Sequence, residues 1–279
     1  MTARAARGTH EWLTIERGRA PLLVSVPHAG TRLPPALGPR LASAWLARKD
    51  ADWYVDRLYG FARRLDATMV MTAVSRTVID VNRDPSGRSL YPGMVTTELC
   101  PTATFDGEPL YRPDAAPSAE EVAERRRAYY DPYHAALRAE LDRLRGLNPA
   151  VVLFDAHSIR STVPRLFEGV LPAFNIGTNS GRSCAPGLVA PLESVVAATG
   201  HAWVTNGRFK GGHITRHYGE PQRGTHAVQL ELAMRTYLDE PAEISQASWP
   251  PPYTNARAAG LVATLERVLE ACLAFAGAA

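Results

Sequence analysis

The sequence lacks the features of a membrane or secreted protein. It contains no apolar run long enough to span a bilayer, and its first residues include arginines but no apolar core of signal-peptide length. Its three cysteines, Cys100, Cys184 and Cys272, are odd in number and widely separated, which argues for free thiols in a reducing compartment. We therefore expect a cytoplasmic protein that does not enter a membrane.

A strong excess of charge of one sign is also absent. The formal net charge is +3, and the Lys and Arg residues are scattered without a long basic tract. The scattered positions of these charges argue against a nucleic-acid partner. The mild excess of arginine suits a small ligand that carries carboxylates. The chain has 279 residues, 46% of them hydrophobic, and no internal repeat, so we expect one core in a single domain over residues 1–279.

What the sequence does contain is an alternation of predicted strands and helices. Apolar runs predict a buried strand over 21–27 and a central strand over 150–157. Further strands are predicted at 68–74, 77–81, 168–176, 202–205 and 226–233, and helices at 53–65, 118–145, 186–199 and 257–275. This order predicts an α/β fold with a mixed, mostly parallel sheet covered on both faces, in which ligands bind beyond the strand ends.

Two of the predicted helices carry local signals at their first residues. Asp52 precedes the helix over 53–65 as a candidate N-cap. Ser118 and Glu121 have capping-box spacing at the start of the next helix, whose arginines 125–127 are expected on a solvated face. Residues 84–117, between these helices, are rich in Pro, Gly, Asp and Thr without a sustained period, which is typical of a loop that covers a functional site.

Three ionisable residues fall at or near the ends of predicted buried strands: His28, His157 and Glu231. Two imidazoles and a carboxylate can hold Zn²⁺ with a position left for water, and a further carboxylate can act as general base. Taken singly, each histidine is more often a hydrogen-bonded structural residue than a metal ligand. A carboxylate such as Glu231 in an apolar strand is costly unless it lies at an edge or serves a function.

Six segments, taken together and in order, resemble the motifs of the N-formylglutamate amidohydrolase family: VPHAG at 26–30, DADW at 50–53, SRTVIDVNRDP at 75–85, DAHS at 155–158, KGGHITRHYG at 210–219 and QLEL at 229–232. The resemblance extends from about residue 13 to 240. It implies a three-layer αβα sandwich of the phosphorylase/hydrolase type, related to the zinc carboxypeptidases. It also implies hydrolysis of N-formyl-L-glutamate to formate and L-glutamate, as the last step of a histidine degradation route.

Kinship with the carboxypeptidases implies roles for several of these residues. His157 and Ser158 are similar to a His-Ser pair that supplies the last zinc ligand, and Asn82 and Arg83 are similar to an Asn-Arg pair that receives a substrate carboxylate. The order of Gly211, Gly212, Ile214, Tyr218, Glu231 and Leu232 is also similar, and it implies that Glu231 is the catalytic base.

The third metal ligand departs from the carboxypeptidase pattern. Those enzymes carry a carboxylate three residues after the first histidine, where this sequence has Thr31. The nearest acids are Asp50, Asp52 and Asp56, of which we choose Asp52 because it lies beside the His28 loop. A helix N-cap without a metal is the alternative role for Asp52.

The substrate carries two carboxylates, so the pocket needs planar bidentate donors. Arg83 is our first choice, and the candidates for the second carboxylate are Arg76, Arg160, Arg216 and Arg223, each of which could equally be a surface arginine. His213 is a candidate catalytic residue that orients the substrate or the oxyanion, and three more residues are candidates for substrate binding: Gly212, Thr215 and Tyr218. A tight turn with a solvent-facing histidine is the alternative for His213.

Two other functions stay open at this stage. The nearer one is a zinc hydrolase that removes an acetyl or succinyl group from an acidic amino acid. The other is a non-catalytic carboxylate-binding protein on the same fold, although the presence of His28, His157 and Glu231 argues against it. The ligand types favour Zn²⁺ but allow another divalent metal. The sequence leaves the oligomeric state open.

Overall fold

The computed structural model describes residues 10–89, 93 and 95–278, and within them seven strands form one mixed sheet. The strands are β1 (Leu13–Glu16), β2 (Leu22–Val26), β3 (Thr68–Thr72), β4 (Val151–Ile159), β5 (Phe174–Gly177), β6 (Trp203–Thr205) and β7 (Thr225–Ala233). Their order across the sheet is β1-β3-β2-β4-β7-β5-β6. The pairs β1/β3 and β7/β5 are antiparallel and the other neighbours are parallel, so the predicted α/β class and the predicted mixed sheet are confirmed.

The α-helices are α1 (Leu46–Lys49), α2 (Val55–Leu58), α3 (Ala119–Arg125), α4 (Asp131–Arg145), α5 (Pro186–Ala197), α6 (His213–Tyr218) and α7 (Asn255–Gly277). Short 3₁₀ segments lie at Pro35–Arg40, Gly60–Leu65, Pro221–Arg223 and Met234–Thr236, and one π-helical segment lies at Arg126–Tyr130. Within the described ranges, none of these helices has both the length and the apolar content to cross a bilayer.

The central strand β4 separates two apolar cores because successive side chains of a strand point to opposite faces. Val152, Phe154 and Ala156 pack into a core with helices α5 and α7. Val151 and Leu153 pack into a second core with helix α4. Asp155 and His157 follow on this second face, beyond the apolar part of the strand, so the alternation carries polar groups to its carboxyl end.

The helix predicted over 53–65 is interrupted in the structure. Tyr54 adopts a positive φ of 64°, α2 has four residues, and the chain continues in 3₁₀ form from Gly60. The N-cap role considered for Asp52 is wrong, because Tyr54 occupies that position and the Asp52 carboxylate instead accepts hydrogen bonds from His157 and from the Ser158 backbone.

The strand predicted over 77–81 is wrong, since these residues form turns and pair with no strand. Val78, Ile79 and Val81 are buried in the α4-side core, so their β-branched side chains reflect burial rather than strand pairing. The turn also buries Asp80 completely, with its carboxylate directed at His28.

The helical prediction over 118–145 is confirmed in its start and its extent. The Ser118 side chain accepts a hydrogen bond from the Glu121 backbone, as the capping-box spacing predicted, although the π-helical segment divides the helix into α3 and α4. Arg126 and Arg127 are exposed. Arg125 is not on a solvated face, because its guanidinium is buried against Glu121, the Val78 carbonyl and the Tyr111 hydroxyl.

Candidate active site

Three residues from distant parts of the chain meet in a buried cluster: His28 after β2, Asp52 before α2 and His157 on β4. One ligand atom of each lies within 4.8 Å of those of the other two. His157 Nδ1 is 2.9 Å and His28 Nδ1 is 3.7 Å from Asp52 Oδ2. The structure therefore brings together the three residues that the sequence suggested as metal ligands.

Each histidine is oriented through its other ring nitrogen. His28 Nε2 lies 2.6 Å from Asp80 Oδ1. His157 Nε2 lies 3.0 Å from Asp155 Oδ2 and 2.9 Å from the Asn82 amide nitrogen. Carboxylates that hold the distal nitrogen of a histidine fix its ring, as in many metal sites. Both Nδ1 atoms are thereby directed toward Asp52.

The cluster fits a divalent metal by its donor atoms and by one unsatisfied atom. His28 Nδ1 is buried and has no hydrogen-bond partner. A buried nitrogen without a partner is costly, and a cation between it and the carboxylate of Asp52 would remove that cost. Two imidazole nitrogens and a carboxylate oxygen are donors that Zn²⁺ commonly takes in catalytic sites.

The carboxylates around the cluster are held in their ionised form. Burial acts to raise the pKa of Asp80, but the charges of His28, Arg76 and Arg83 outweigh burial and hold that pKa well below its usual value. Burial likewise acts to raise the pKa of Asp52, and the neighbouring imidazoles of His28 and His157 lower it below its usual value. Asp52 is therefore held as a carboxylate, the form in which it can coordinate a cation.

Glu231 lies beside the cluster on the neighbouring strand. It is the register partner of His157 in the parallel pairing of β4 with β7, and its side chain points to the same face of the sheet. Its Oε2 accepts a hydrogen bond of 3.1 Å from the Gln229 amide. Burial raises the pKa of Glu231 to about 8, against the lowering effect of His157. A carboxyl group with a raised pKa can both take up and return a proton.

A cleft lies beside the cluster, between the strand ends and residues 95–97 and 105 of the 84–117 segment. Its polar lining comes from the cluster, from neighbouring groups and from three arginines: His28, His157, Glu231, Asn82, Gln229, Ser158, Arg76, Arg83 and Arg208. Its other lining is mostly apolar or small: Val95, Thr96, Thr97, Phe105, Ile159, Leu166, Phe209 and Gly212. Residues 95–97 and 105 belong to the loop that was predicted to cover a functional site.

Asn82 supports the cluster through each end of its amide. Its nitrogen contacts His157 and Asp155, and its oxygen accepts a hydrogen bond of 2.8 Å from the Ile214 backbone. A Cβ on Gly212 would lie 2.5 Å from that nitrogen, so the glycine is required by this close approach. Asn82 and Arg83, which the sequence suggested for substrate binding, both line the cleft, but the Asn82 amide is already engaged by these contacts.

Three candidates on helix α6 do not line the cleft. The His213 ring stacks on His217 with a centroid distance of 5.0 Å. Thr215 is buried against Gly211, and the Tyr218 hydroxyl hydrogen-bonds His134. The structure thus gives these side chains packing contacts outside the cluster.

Three of the candidate arginines also lie outside the cleft lining. Arg160 is buried and pairs with Asp106 at 2.7 Å. Arg216 donates to the Gly211 carbonyl, and Arg223 is exposed beside Glu220.

The other two candidate aspartates are absent from the cluster. Asp50 accepts a hydrogen bond of 2.6 Å from the Phe105 backbone, which fixes the covering loop, and Asp56 is exposed. Asp50 also lies 3.5 Å from the Arg160 guanidinium.

Sequence reasoning missed four residues of the site: Asp80, Asp155, Gln229 and Arg208. A signal existed for Asp155 and Gln229, because each stands two residues before His157 or Glu231 on the same face of its strand. Asp80 lay inside a quoted motif but was assigned to a strand. Arg208 carried no signal of its own in the sequence.

The fold and the site together define an α/β protein with a buried His-Asp-His cluster and a glutamate beside it at the carboxyl ends of parallel strands, an arrangement suited to hydrolysis. Residues 20–238 match the family model described as N-formylglutamate amidohydrolase. The chain therefore belongs to the N-formylglutamate amidohydrolase family.

Its relatives include two bacterial proteins named N-formylglutamate deformylase. The protein from Pseudomonas aeruginosa is 49% identical over 266 residues, covering 95% of this chain and 97% of that protein. The protein from Pseudomonas putida is 47% identical over 264 residues, covering 94% of this chain and 96% of that protein.

Two solved structures share the fold. The N-formylglutamate amidohydrolase from Ralstonia eutropha has a TM-score of 0.76 at 23% identity, covering 96% of this chain and 98% of that one. A gene product from Agrobacterium tumefaciens has a TM-score of 0.69 at 18% identity, covering 95% and 96% of the two chains. At these identities the likeness concerns the fold alone.

Proposed function

We propose that this protein hydrolyses N-formyl-L-glutamate to formate and L-glutamate with a divalent metal, zinc in the first instance, held by His28, Asp52 and His157. Similarity over 95% of the chain to a protein named N-formylglutamate deformylase supports the substrate. The observation that carries the proposal is the buried cluster of His28, Asp52 and His157, whose two histidines line one cleft together with Glu231.

The residues divide the reaction between them. Zinc, when bound, supplies a Lewis acid that polarises the formyl carbonyl and makes water easier to deprotonate. Glu231 takes a proton from the attacking water and passes it to the amine nitrogen that leaves, because it lies next to the cluster with its carboxylate in the cleft. Arg83 binds a substrate carboxylate from the cleft wall.

We infer a three-layer αβα sandwich of the phosphorylase/hydrolase type, formed as one domain, because helices pack against both faces of the sheet. A cytoplasmic location accords with three buried, free cysteines. A hydrolase that removes an acetyl or succinyl group from an acidic amino acid would use the same cluster and differ in the pocket that receives the acyl group. A non-catalytic carboxylate-binding protein would require neither the cluster nor Glu231.

The test joins metal analysis to formate release. We expect close to one bound divalent ion per chain, formate release from N-formyl-L-glutamate that ceases after chelation, and little release of acetate or succinate from the corresponding substrates.

Asp52→Asn should lose the metal, and the exposed Asp56→Asn serves as the matched control that keeps it. Glu231→Gln should keep the metal and lose roughly 10²–10⁴-fold in turnover. A metal-free protein with full activity would overturn the proposal.

A further inference from the structure

The three arginines of the cleft have different partners. Arg76 donates to Asp80 at 2.7 Å and lies 3.5 Å from Asp52, so its charge is directed at the carboxylates around the cluster. Its guanidinium also lies over the Phe105 ring, 4.8 Å from the centroid. Arg76 is thus engaged by two buried carboxylates, whereas Arg83 approaches one of them, Asp80, at 3.5 Å and Arg208 donates to backbone carbonyls.

Arg83 and Arg208 both hold the same short segment of the covering loop. Arg83 Nη2 donates to Thr97 Oγ1 at 2.9 Å, and Arg208 Nη2 donates to the Val95 carbonyl at 3.1 Å. Both guanidinium groups therefore line one cleft and hold neighbouring residues of one segment, which places two cations in a cleft that receives a substrate with two carboxylates.

The guanidinium of Arg208 is fixed in orientation by two loops. Its Nε donates to the Leu166 carbonyl at 2.8 Å while Nη2 donates to Val95, and the group lies 5.3 Å from the Phe209 ring centroid. A planar guanidinium held in this way loses little side-chain freedom when it binds a carboxylate.

We propose that Arg208 binds the side-chain carboxylate of the substrate and selects for an acidic side chain, while Arg83 binds the α-carboxylate. The inference rests on the proposed function. Arg83 Nε is 3.5 Å from Asp80, which holds His28, so Arg83 lies next to the cluster where the formamide must be placed. The α-carboxylate is attached to the carbon that carries the formamide, which assigns it to Arg83 and leaves the distal carboxylate to Arg208.

The experiment compares two substrates that differ in one charge, N-formyl-L-glutamate and N-formyl-L-glutamine. We expect the unaltered holoenzyme to favour the glutamate substrate by tenfold to roughly a hundredfold in kcat/KM, the range of a charge-assisted contact. Arg208→Gln should remove most of this preference by slowing the glutamate substrate while leaving the glutamine substrate within about twofold. Arg208→Lys should be intermediate because it keeps the charge and loses the planar donors.

Two comparison variants separate this role from others. Arg83→Gln should slow both substrates alike, because both keep the α-carboxylate, and the exposed Arg223→Gln should change neither. An Arg208→Gln enzyme that slows both substrates equally, or neither, would overturn the proposal for Arg208 while leaving the deformylase activity in place. If the unaltered protein released formate from neither substrate, the proposed function itself would fail.

Discussion

The two nitrogens of each cluster histidine have separate tasks. His28 and His157 use Nε2 to contact Asp80 and Asp155, and this contact directs Nδ1 toward Asp52. Because an imidazole ring is rigid, the distal carboxylate determines where the ligand atom lies. The carboxylates behind the histidines are therefore as much part of the site as the ligands themselves.

Asp80→Asn is expected to weaken metal binding by about 10–100-fold, since the amide holds His28 less strongly and in a less defined orientation. Competition with a chelator of known affinity measures this effect independently of turnover. Asp84→Asn, four residues along the same turn segment and partnered by Ser86, is the matched control and should bind metal normally. If Asp80→Asn does not fold, Asp155→Asn tests the same point on His157. Unchanged metal affinity in a folded variant would contradict the role given to these carboxylates.

At the scale of elements, the sequence predicted what apolar runs determine and missed what tertiary contacts determine. Strands β2 and β4 follow from nearly continuous apolar runs, and β7 follows from an apolar run in which Gln229 and Glu231 alternate with apolar residues. The turn around Asp80 was assigned to a strand because its β-branched residues are buried for packing.

Single-residue signals were less reliable than the strand patterns. Asp52 lies beside His28 and His157, yet the helix that it was predicted to cap is broken by the positive φ of Tyr54. Arg208 could not be found at all, because its role depends on two loops that meet only in the folded chain.

The same glycine-to-alanine change is expected to have opposite effects in two helical settings. At Gly212, which precedes α6, a Cβ would lie 2.5 Å from the Asn82 amide, so Gly212→Ala should destabilise the fold by about 1–3 kcal/mol and weaken metal binding. At Gly260, inside α7 and exposed, a Cβ meets nothing within 4 Å, and Gly260→Ala should stabilise by about 0.5–1 kcal/mol. Urea unfolding and metal competition measure both effects. Equal effects of the two changes would contradict the close packing assigned to Gly212.

For the molecule as a whole, the site depends on the order of strands in the sheet. His28 follows β2, His157 lies two residues before the end of β4 and Glu231 lies on β7, and these three strands are consecutive neighbours and parallel. Their carboxyl ends therefore meet at one edge, although the residues are far apart in the sequence. A metal ion bound there by His28, Asp52 and His157 would connect three segments of the chain that are distant in sequence.

Stability should also fall in mildly acidic solution because of a buried histidine away from this edge. Burial lowers the pKa of His134 to about 3, with His213, His217 and Arg126 lowering it further and a hydrogen bond to the Val81 carbonyl opposing them. Between about pH 6.5 and 3 the unfolded chain therefore binds a proton at His134 that the folded chain does not. The free energy of unfolding contributed by this group is complete above pH 6.5 and falls with decreasing pH, by up to about 1.4 kcal/mol per pH unit.

Urea unfolding of His134→Gln across this range should show a correspondingly smaller pH dependence, whereas His201→Gln, at an exposed position, should match the unaltered protein. An identical pH dependence in all three proteins would mean that His134 does not resist protonation in the fold.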